Sequence, residues 1–240
     1  MPRQTDQQDR VLGLFAKQPV PGQVKTRLAA ETCADWAAQV ADAFLRDTLH
    51  RLLWIDAHRV VAFAPADAEP FFANLIDYRF QLIPQVDGDL GQRMAAFFAG
   101  QFQAGAKRVV LIGTDTPTLP PDYIERAFDE LKRSEVEAPT KDVHLVLGPA
   151  TDGGYYLIGL AGQVPPIFEG ISWGSERVLA ETTSRLPEDG CRLTLLPPWY
   201  DVDTLKDWRV LTGHVGALHH AGFNPGVGFT DEIRYLFDWE

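Results

Sequence analysis

The feature that most limits the fold of this chain is the alternation of short apolar runs with longer amphipathic segments. Short apolar runs bounded by glycine, proline and polar residues are typical of buried strands, and longer segments with helical spacing are typical of helices that cover a sheet. The pattern predicts an α/β fold with strands at residues 11–16, 59–64, 81–84, 108–113, 144–149, 155–159 and 191–196. It predicts one helix across residues 34–54 and further helices that begin near Thr26, Ala68, Leu90, Pro121, Ser175 and Thr204.

The length and charge of the chain limit its organisation and its partners. Its 240 residues, 45% of them apolar, suffice for one sizeable core, so we expect a single domain across residues 1–240 with a polar tail at 1–10. The net charge of −11 argues against nucleic-acid or membrane binding, which requires a basic face. We expect neither a signal peptide nor a membrane-spanning helix, and a cytoplasmic location. Nothing in the sequence predicts an oligomeric state.

The loop after the first predicted strand, "AKQPVPGQVKTR", is rich in basic residues. It is not an ATPase P-loop, because Pro19 and Val24 stand where that motif needs glycines to wrap phosphates. What remains is a proline-stiffened turn before a helix start, which predicts an anion cradle of another kind; the alternative is a solvated helix start. The candidate phosphate-binding residues are Lys17, Gly22, Lys25 and Arg27.

Two apolar runs deliver aspartates at their ends. Asp115 follows the strand predicted at 108–113, and Asp201 and Asp203 follow an apolar run near the end of the chain. Such carboxylates suit Mg²⁺ or Mn²⁺, which combine a few carboxylates with phosphate oxygens. Of Asp201 and Asp203, we expect only one to face an ion shared with Asp115. The alternative is that Asp115 and Asp203 only cap the turn or helix that follows each of them.

Three further loops carry candidate binding residues. In "DGDLGQRM", Gly91 permits close approach of a base or ribose, and Arg93 follows on a predicted helix. In "TDGGYY", two glycines beside an acidic and an aromatic residue predict either a loop that binds the acceptor substrate or only a tight turn. In "ISWGSE", Ser175 predicts a helix N-cap beside an aromatic side chain. The candidate substrate-binding residues are Asp152, Gly153, Gly154, Tyr155, Trp173 and Ser175.

The sequence lacks the fingerprints of several enzyme classes. No GxGxxG follows the first predicted strand, which argues against a dinucleotide-dependent oxidoreductase. No HExxH helix is present, which argues against the metal-dependent hydrolases that use one. The remaining signal is the set of glycine-rich and polar loops at strand ends.

As a set, these motifs resemble the nucleotide-diphospho-sugar transferase superfamily, which has a GT-A-like fold. More closely, the chain resembles the radical-SAM/selenodomain-associated transferase 1 family, also labelled an arsenosugar-biosynthesis glycosyltransferase, in "AKQPVPGQVKTRL", "DLGQRM", "IGTDTPTLP", "ATDGGYYLIGL", "ISWGSE" and "DVDT". The resemblance implies a Rossmann-like three-layer sandwich with a mixed, mostly parallel sheet and one site for a nucleotide and Mg²⁺. It implies that Asp115 and Asp203, the latter preferred to Asp201, bind the metal. It also implies that Lys25 and Arg27 bind phosphate.

The resemblance leaves three functions open. We place first an Mg²⁺-dependent nucleotidyl transfer, in which a small phosphorylated acceptor attacks an NTP while Lys25 and Arg27 bind the β and γ phosphates. The second is glycosyl transfer from a nucleoside diphosphate sugar, with Asp152 as the base for the acceptor hydroxyl. The third is a non-catalytic nucleotide-binding protein. The sequence has "KQPVPG" instead of the glycine pair of sugar nucleotidyltransferases and "TDTP" instead of the Asp-x-Asp of many glycosyltransferases. The resemblance therefore does not identify the nucleobase or the donor.

Overall fold

The structure, a computed structural model, describes residues 9–137, 143–222 and 236. The strands are β1 (Arg10–Lys17), β2 (His58–Ala64), β3 (Phe80–Pro84), β4 (Arg108–Ile112), β5 (Val143–Pro149), β6 (Tyr155–Ala161) and β7 (Cys191–Leu195). The helices are α1 (Thr26–Glu31), α2 (Ala34–Leu52), α3 (Glu69–Leu75), α4 (Leu90–Gln103), α5 (Pro121–Glu137), α6 (Val178–Ser184) and α7 (Leu205–His220), with a 3₁₀ turn at Ala66–Ala68. None of these helices is long and apolar enough to span a membrane.

The strands form one sheet in the order β3-β2-β1-β4-β6-β5-β7. β1 pairs in parallel with β2 and β4, β2 with β3, and β5 with β7. β6 runs antiparallel to both of its neighbours, β4 and β5. Parallel neighbours need crossover connections, which the helices between them provide. The predicted α/β class with a mixed, mostly parallel sheet and flanking helices is confirmed.

Helices bury both faces of the sheet. On β1, Leu12 and Leu14 pack into a cluster that includes residues of α2 and α5, whereas Val11 packs into a cluster with Met94 and Phe97 of α4. A strand that is buried on both faces has a continuous apolar sequence, such as "VLGLFA", rather than alternating apolar and polar residues. Polar side chains therefore collect where the strands end.

The predicted strands agree with the observed ones to within two residues at each end. Most predicted helix starts agree equally well, but α6 begins at Val178 rather than at Ser175. The prediction of Ser175 as a helix cap was wrong, because its hydroxyl donates to the carbonyl oxygen of Ser172 at 2.7 Å and closes a turn before the helix. Of the predicted polar tail at 1–10, residues 1–8 lie outside the described residues, and Arg10 already belongs to β1.

A glycine at the centre of β1 lets α4 lie close to the sheet. A Cβ atom at Gly13 would lie 2.4 Å from Cζ of Phe97 and 2.9 Å from Cδ1 of Leu111. Both neighbours are buried in a packed cluster, so they cannot move aside freely. Gly100, in the same helix as Phe97, is exposed and has no heavy atom within 4 Å of such a Cβ.

We expect Gly13→Ala to lower the free energy of unfolding by about 1–3 kcal/mol, because it overpacks the interface between β1 and α4. Gly100→Ala is the matched control, and we expect it to raise that free energy by about 0.5–1 kcal/mol, since alanine favours an open helical position. Denaturant titration of both variants measures the difference. Equal effects of the two substitutions would contradict the close packing at Gly13.

Candidate active site

A cavity of about 390 Å³ opens at the carboxyl edge of the sheet. Its walls come from the ends of β1, β2 and β4, from the segments after β3 and β7, and from the turn between β5 and β6. Ligands of open α/β sheets bind at this edge, so the cavity is the candidate active site. The charged residues that line it are Lys17, Arg93, Asp115, Asp152, Asp201 and Asp203.

Lys25 joins two of these carboxylates. Its Nζ atom forms ion pairs with Oδ1 of Asp115 and, at 3.1 Å, with Oδ1 of Asp203, and donates to the carbonyl oxygen of Val202 at 2.7 Å. The Lys25 side chain is 4% exposed, whereas those of Asp115 and Asp203 are 49% and 34% exposed. Burial disfavours the charged ammonium, but the two carboxylates outweigh burial and raise the pKa of Lys25. Lys25 is therefore a buried cation beneath two accessible carboxylates.

The segment after β7 is bonded to the loop after β4. The backbone N–H of Val202 donates to the carbonyl oxygen of Asp115 at 2.9 Å, which brings Asp203 beside Asp115. Val202 is fully buried, and its neighbours Asp201 and Asp203 both line the cavity. Both aspartates face the cavity, because side chains two positions apart on extended backbone share a side. That only one of them shares an ion with Asp115 stays a prediction.

The cavity is crowded with carboxyl groups. Burial, together with the nearby carboxylates of Asp152, Asp115 and Asp203, raises the pKa of Asp201 to about 8 against the opposing charge of Lys25. Such a cluster attracts cations. Among residues 9–137, 143–222 and 236, however, no three His, Cys, Asp or Glu side chains come together in a way that could hold a metal ion.

The predicted phosphate-binding residues are not brought together. Lys17 lines the cavity, but Gly22, Lys25 and Arg27 do not. Gly22 lies in an exposed turn with a φ angle of 76°. Arg27 Nη2 donates to the carbonyl oxygen of Gly174 at 3.1 Å and so ties α1 to the segment before α6. In the first loop, Lys17 is therefore the cation accessible from the cavity, Lys25 is a buried cation, and Arg27 makes a structural contact.

Arg93 and Gln85 form the wall beyond β3. Arg93 Nε donates to the carbonyl oxygen of Gly88 at 2.9 Å, and its Nη1 lies 3.5 Å from Oε1 of Gln85. Gln85 Nε2 donates to the carbonyl oxygen of Ala62 at 2.8 Å, so its amide group is held in place. The sequence analysis missed Gln85. Its signal was its position directly after a predicted strand, at the edge where the other polar loops emerge.

Gly91 has a packing role rather than a place in the cavity wall. A Cβ at Gly91 would lie 2.3 Å from the carbonyl oxygen of Phe168 and 2.9 Å from Nε1 of Trp173. The absence of a side chain therefore allows α4 to contact Trp173, which lines the cavity. The indole of Trp173 therefore occupies the space beside Gly91 where the sequence predicts a base or ribose.

The turn at residues 152–155 forms the opposite wall. Asp152 Oδ1 accepts a hydrogen bond from the backbone N–H of Gly154 at 2.8 Å. Gly153 has a φ angle of 92°, and a Cβ there would lie 2.2 Å from the carbonyl oxygen of Glu176. Asp152, Gly154 and Tyr155 line the cavity. The motif therefore forms a tight turn that also lines the cavity, and its binding of an acceptor stays a prediction.

Trp173 and Ser175 line the same wall. Within the described residues, Nε1 of Trp173 is buried and has no hydrogen-bond partner. Buried polar atoms are nearly always paired, so an unpaired N–H beside a cavity is a candidate contact for a ligand. The hydroxyl of Ser175 is already engaged with Ser172.

A buried ion pair on α2 anchors the loop that carries Asp115. Arg51 Nε lies 2.8 Å from Oδ2 of Asp47, and the side chains are 11% and 0% exposed. Arg51 Nη1 donates to the carbonyl oxygen of Leu119 at 2.8 Å, and Nη2 lies 3.5 Å from that of Thr116. The position of Asp115 therefore depends on a side chain from a distant helix.

Comparisons with known proteins identify relatives. Residues 48–175 match a family described as "Uncharacterized protein conserved in bacteria (DUF2064)". A protein from Desulfovibrio desulfuricans G20, provisionally named a nucleotide-diphospho-sugar transferase, is 33% identical over 85% of this chain and 86% of its own, with a TM-score of 0.76. The 4-diphosphocytidyl-2C-methyl-D-erythritol synthase of Anaerococcus prevotii DSM 20548 shares the fold at 8% identity over 88% and 99% of the two chains, with a TM-score of 0.52. No curated protein matches.

We expect Arg51→Met to lower the free energy of unfolding by about 3–5 kcal/mol, because it removes the ion pair with the buried Asp47 carboxylate and the hydrogen bond to the carbonyl oxygen of Leu119. Arg46→Met is the matched control on the same helix. Its pair with Asp42 has the same spacing but is partly exposed, so we expect a loss of only about 0.3–0.5 kcal/mol. Urea denaturation measures both values. Similar losses would show that the Arg51 contacts do not hold the loop.

Proposed function

The chain belongs to the DUF2064 family of bacterial proteins, and we propose that it is a transferase that binds a nucleotide donor in the cavity together with a divalent metal ion. The observation that carries this proposal is the meeting of Asp115 and Asp203 around one cation at the carboxyl edge of the sheet. The 33% identical relative, provisionally named a nucleotide-diphospho-sugar transferase, supports the donor class. The narrower radical-SAM/selenodomain-associated transferase 1 assignment, and a single domain across residues 1–240, stay predictions.

The carboxylates of Asp115 and Asp203 fit Mg²⁺ or Mn²⁺. Both contact the same nitrogen of Lys25, so their oxygens reach a common position. Mg²⁺ is usually held by one or two carboxylates and by substrate phosphates, not by a cage of protein ligands, which agrees with a pair. When bound, the ion would neutralise charge on the phosphates of the leaving group.

The donor half of the cavity lies beyond β1, β2 and β3. Lys17, at the end of β1, supplies charge for the phosphates. Gln85 Oε1 is a fixed acceptor beside the guanidinium donors of Arg93, a combination that can bind the polar edge of a nucleobase. We therefore place the base against Gln85 and Arg93 and the phosphates towards Asp115.

The acceptor half lies beyond β6 and β5. Trp173 and Tyr155 form an aromatic wall there, against which the apolar face of an acceptor can pack. Asp152 is the base for an acceptor hydroxyl, since its carboxyl group lines this half and is held by the backbone of Gly154.

The charges of the cavity favour glycosyl transfer from a nucleoside diphosphate sugar. The cavity holds the carboxylates of Asp115, Asp152 and Asp203, whereas the pKa of Asp201, raised to about 8, favours its neutral form. The cationic side chains beside these carboxylates are Lys17, Arg93 and the buried Lys25. A diphosphate sugar and a neutral hydroxyl acceptor bring two phosphates, which a divalent ion and these cations can balance. A triphosphate with a phosphorylated acceptor brings four, and each extra phosphate repels the carboxylates.

Nucleotidyl transfer, placed first by the sequence analysis, is the second candidate. The observation in its favour is the Lys25 ammonium, which lies beside Asp115 and Asp203 where charge would develop on a departing pyrophosphate. The two reactions differ in their donor, so donor binding discriminates between them.

We expect one nucleoside diphosphate sugar to raise the melting temperature in the presence of Mg²⁺, because a ligand that binds only the folded state stabilises it, by about 2.7 kcal/mol at a hundredfold excess over Kd. A thermal-shift panel contains ADP-, CDP-, GDP-, UDP- and dTDP-sugars and the matching NTPs, each with and without Mg²⁺. Asp115→Asn should abolish the part of the shift that needs Mg²⁺.

Asp129→Asn is the control for that panel, because Asp129 is exposed on α5 and does not line the cavity. It should leave every shift unchanged. A shift with an NTP and not with a diphosphate sugar would place nucleotidyl transfer first. The absence of a shift with every member would contradict the proposed donor site.

We expect Arg93→Met to weaken donor binding about tenfold or more, because it removes a charged donor from the predicted base contact. Calorimetric titration with the stabilising donor gives the dissociation constant. The control is Arg177→Met, since Arg177 is 66% exposed and does not line the cavity. An equal Kd for wild type and Arg93→Met would remove Arg93 from the donor site.

A further inference from the structure

Lys25 occupies the position that links the two candidate metal ligands. We propose that the Lys25 ammonium is a built-in counter-ion that keeps divalent metal out of the site until a nucleotide donor is present. This inference rests on the proposed donor site. It adds that metal and donor bind together: the Lys25 ammonium leaves the carboxylates of Asp115 and Asp203, which then bind the metal, and pairs with a phosphate of the donor instead.

The contacts of Lys25 satisfy its ammonium group. An ammonium has three N–H donors, and Nζ has three oxygen partners: Asp115, Asp203 and the carbonyl oxygen of Val202. The nitrogen also lies 5.4 Å from the centre of the Phe44 ring. With 4% of its side chain exposed, this lysine has little contact with water. The carboxylates, in contrast, are open to the cavity.

The backbone holds Lys25 in this place. Its φ of 45° and ψ of 43° make it the one non-glycine residue with positive φ in the described part of the chain. The left-handed conformation is unfavourable for a lysine and persists only where its surroundings impose it. The carbonyl oxygen of Lys25 accepts a hydrogen bond from Ala29 N at 2.8 Å, so α1 begins from this conformation. Lys25 is thus fixed at the start of a helix and directed inward.

A divalent ion and the ammonium compete for the same oxygens. If a metal ion bound alone, Lys25 would lose both carboxylates and remain as a buried charge without a carboxylate partner, which is strongly unfavourable. A donor phosphate supplies a new anionic partner for Lys25 and further oxygen ligands for the metal. Metal affinity and donor affinity are then coupled, and the coupling is reciprocal.

The test is a titration of the nucleotide-free protein with Mn²⁺, followed by the loss of the EPR signal of free Mn²⁺. We expect wild type to bind Mn²⁺ weakly and Lys25→Met to bind it about tenfold more tightly or better, within the range of typical coupling. Methionine preserves the length of the side chain and removes its charge. Lys17→Met is the matched control, because it removes a charge from the cavity wall without touching Asp115 or Asp203, and it should alter the affinity much less.

Lys25→Gln is the second variant, since it keeps a donor for the carbonyl oxygen of Val202 if Lys25→Met does not fold. Tighter Mn²⁺ binding in either folded variant supports the proposal. Equal affinity in wild type, the Lys25 variants and Lys17→Met would overturn it, as would tight binding to wild type without nucleotide. Such a result leaves the donor panel untouched, so failure of the Lys25 proposal and failure of the proposed function are distinguishable.

Discussion

Burial of both faces of the sheet is the constraint on which the rest of the structure depends. Helices cover β1 on either side, so its interior positions hold only apolar side chains and glycine. Charged groups can reach a ligand only where the parallel strands end, and those ends lie at one edge. The loop after β4 emerges near the middle of this edge, which places Asp115 between the two parts of the cavity that we propose for donor and acceptor.

Two buried cations act on the Asp115 loop from different sides. Arg51 binds backbone carbonyl oxygens of Thr116 and Leu119, and its own charge is balanced by the fully buried Asp47. Those contacts do not involve the carboxylate of Asp115. Lys25 binds that carboxylate itself. Arg51 thus fixes the backbone of the loop, whereas Lys25 pairs with the side chain of Asp115.

The sequence predicts the fold well because strand and helix positions follow from local periodicity, which a single chain displays directly. It also identifies most loops of the cavity, since parallel strands bring their carboxyl ends together. It does not reveal that Lys25 contacts Asp203, because that pair is separated by 178 residues and depends on how two loops pack. Gly91 was assigned to a ligand because a glycine looks the same in a sequence whether an indole or a nucleotide approaches it. The metal, the donor and the roles of the site residues stay predictions.

The reversed direction of β6 has a consequence for how this protein family can diversify. Because β6 runs against its neighbours, its first residue, Tyr155, lies at the edge where the other strands end. A tight turn joins β6 to β5, and one inserted residue there would shift the pairing and exchange the faces of β6. The part of the cavity proposed for the donor is connected instead by helical crossovers, whose loops can change length without altering the sheet. Under the proposed function, insertions would alter the donor side, whereas changes on the acceptor side would require substitution of side chains in place.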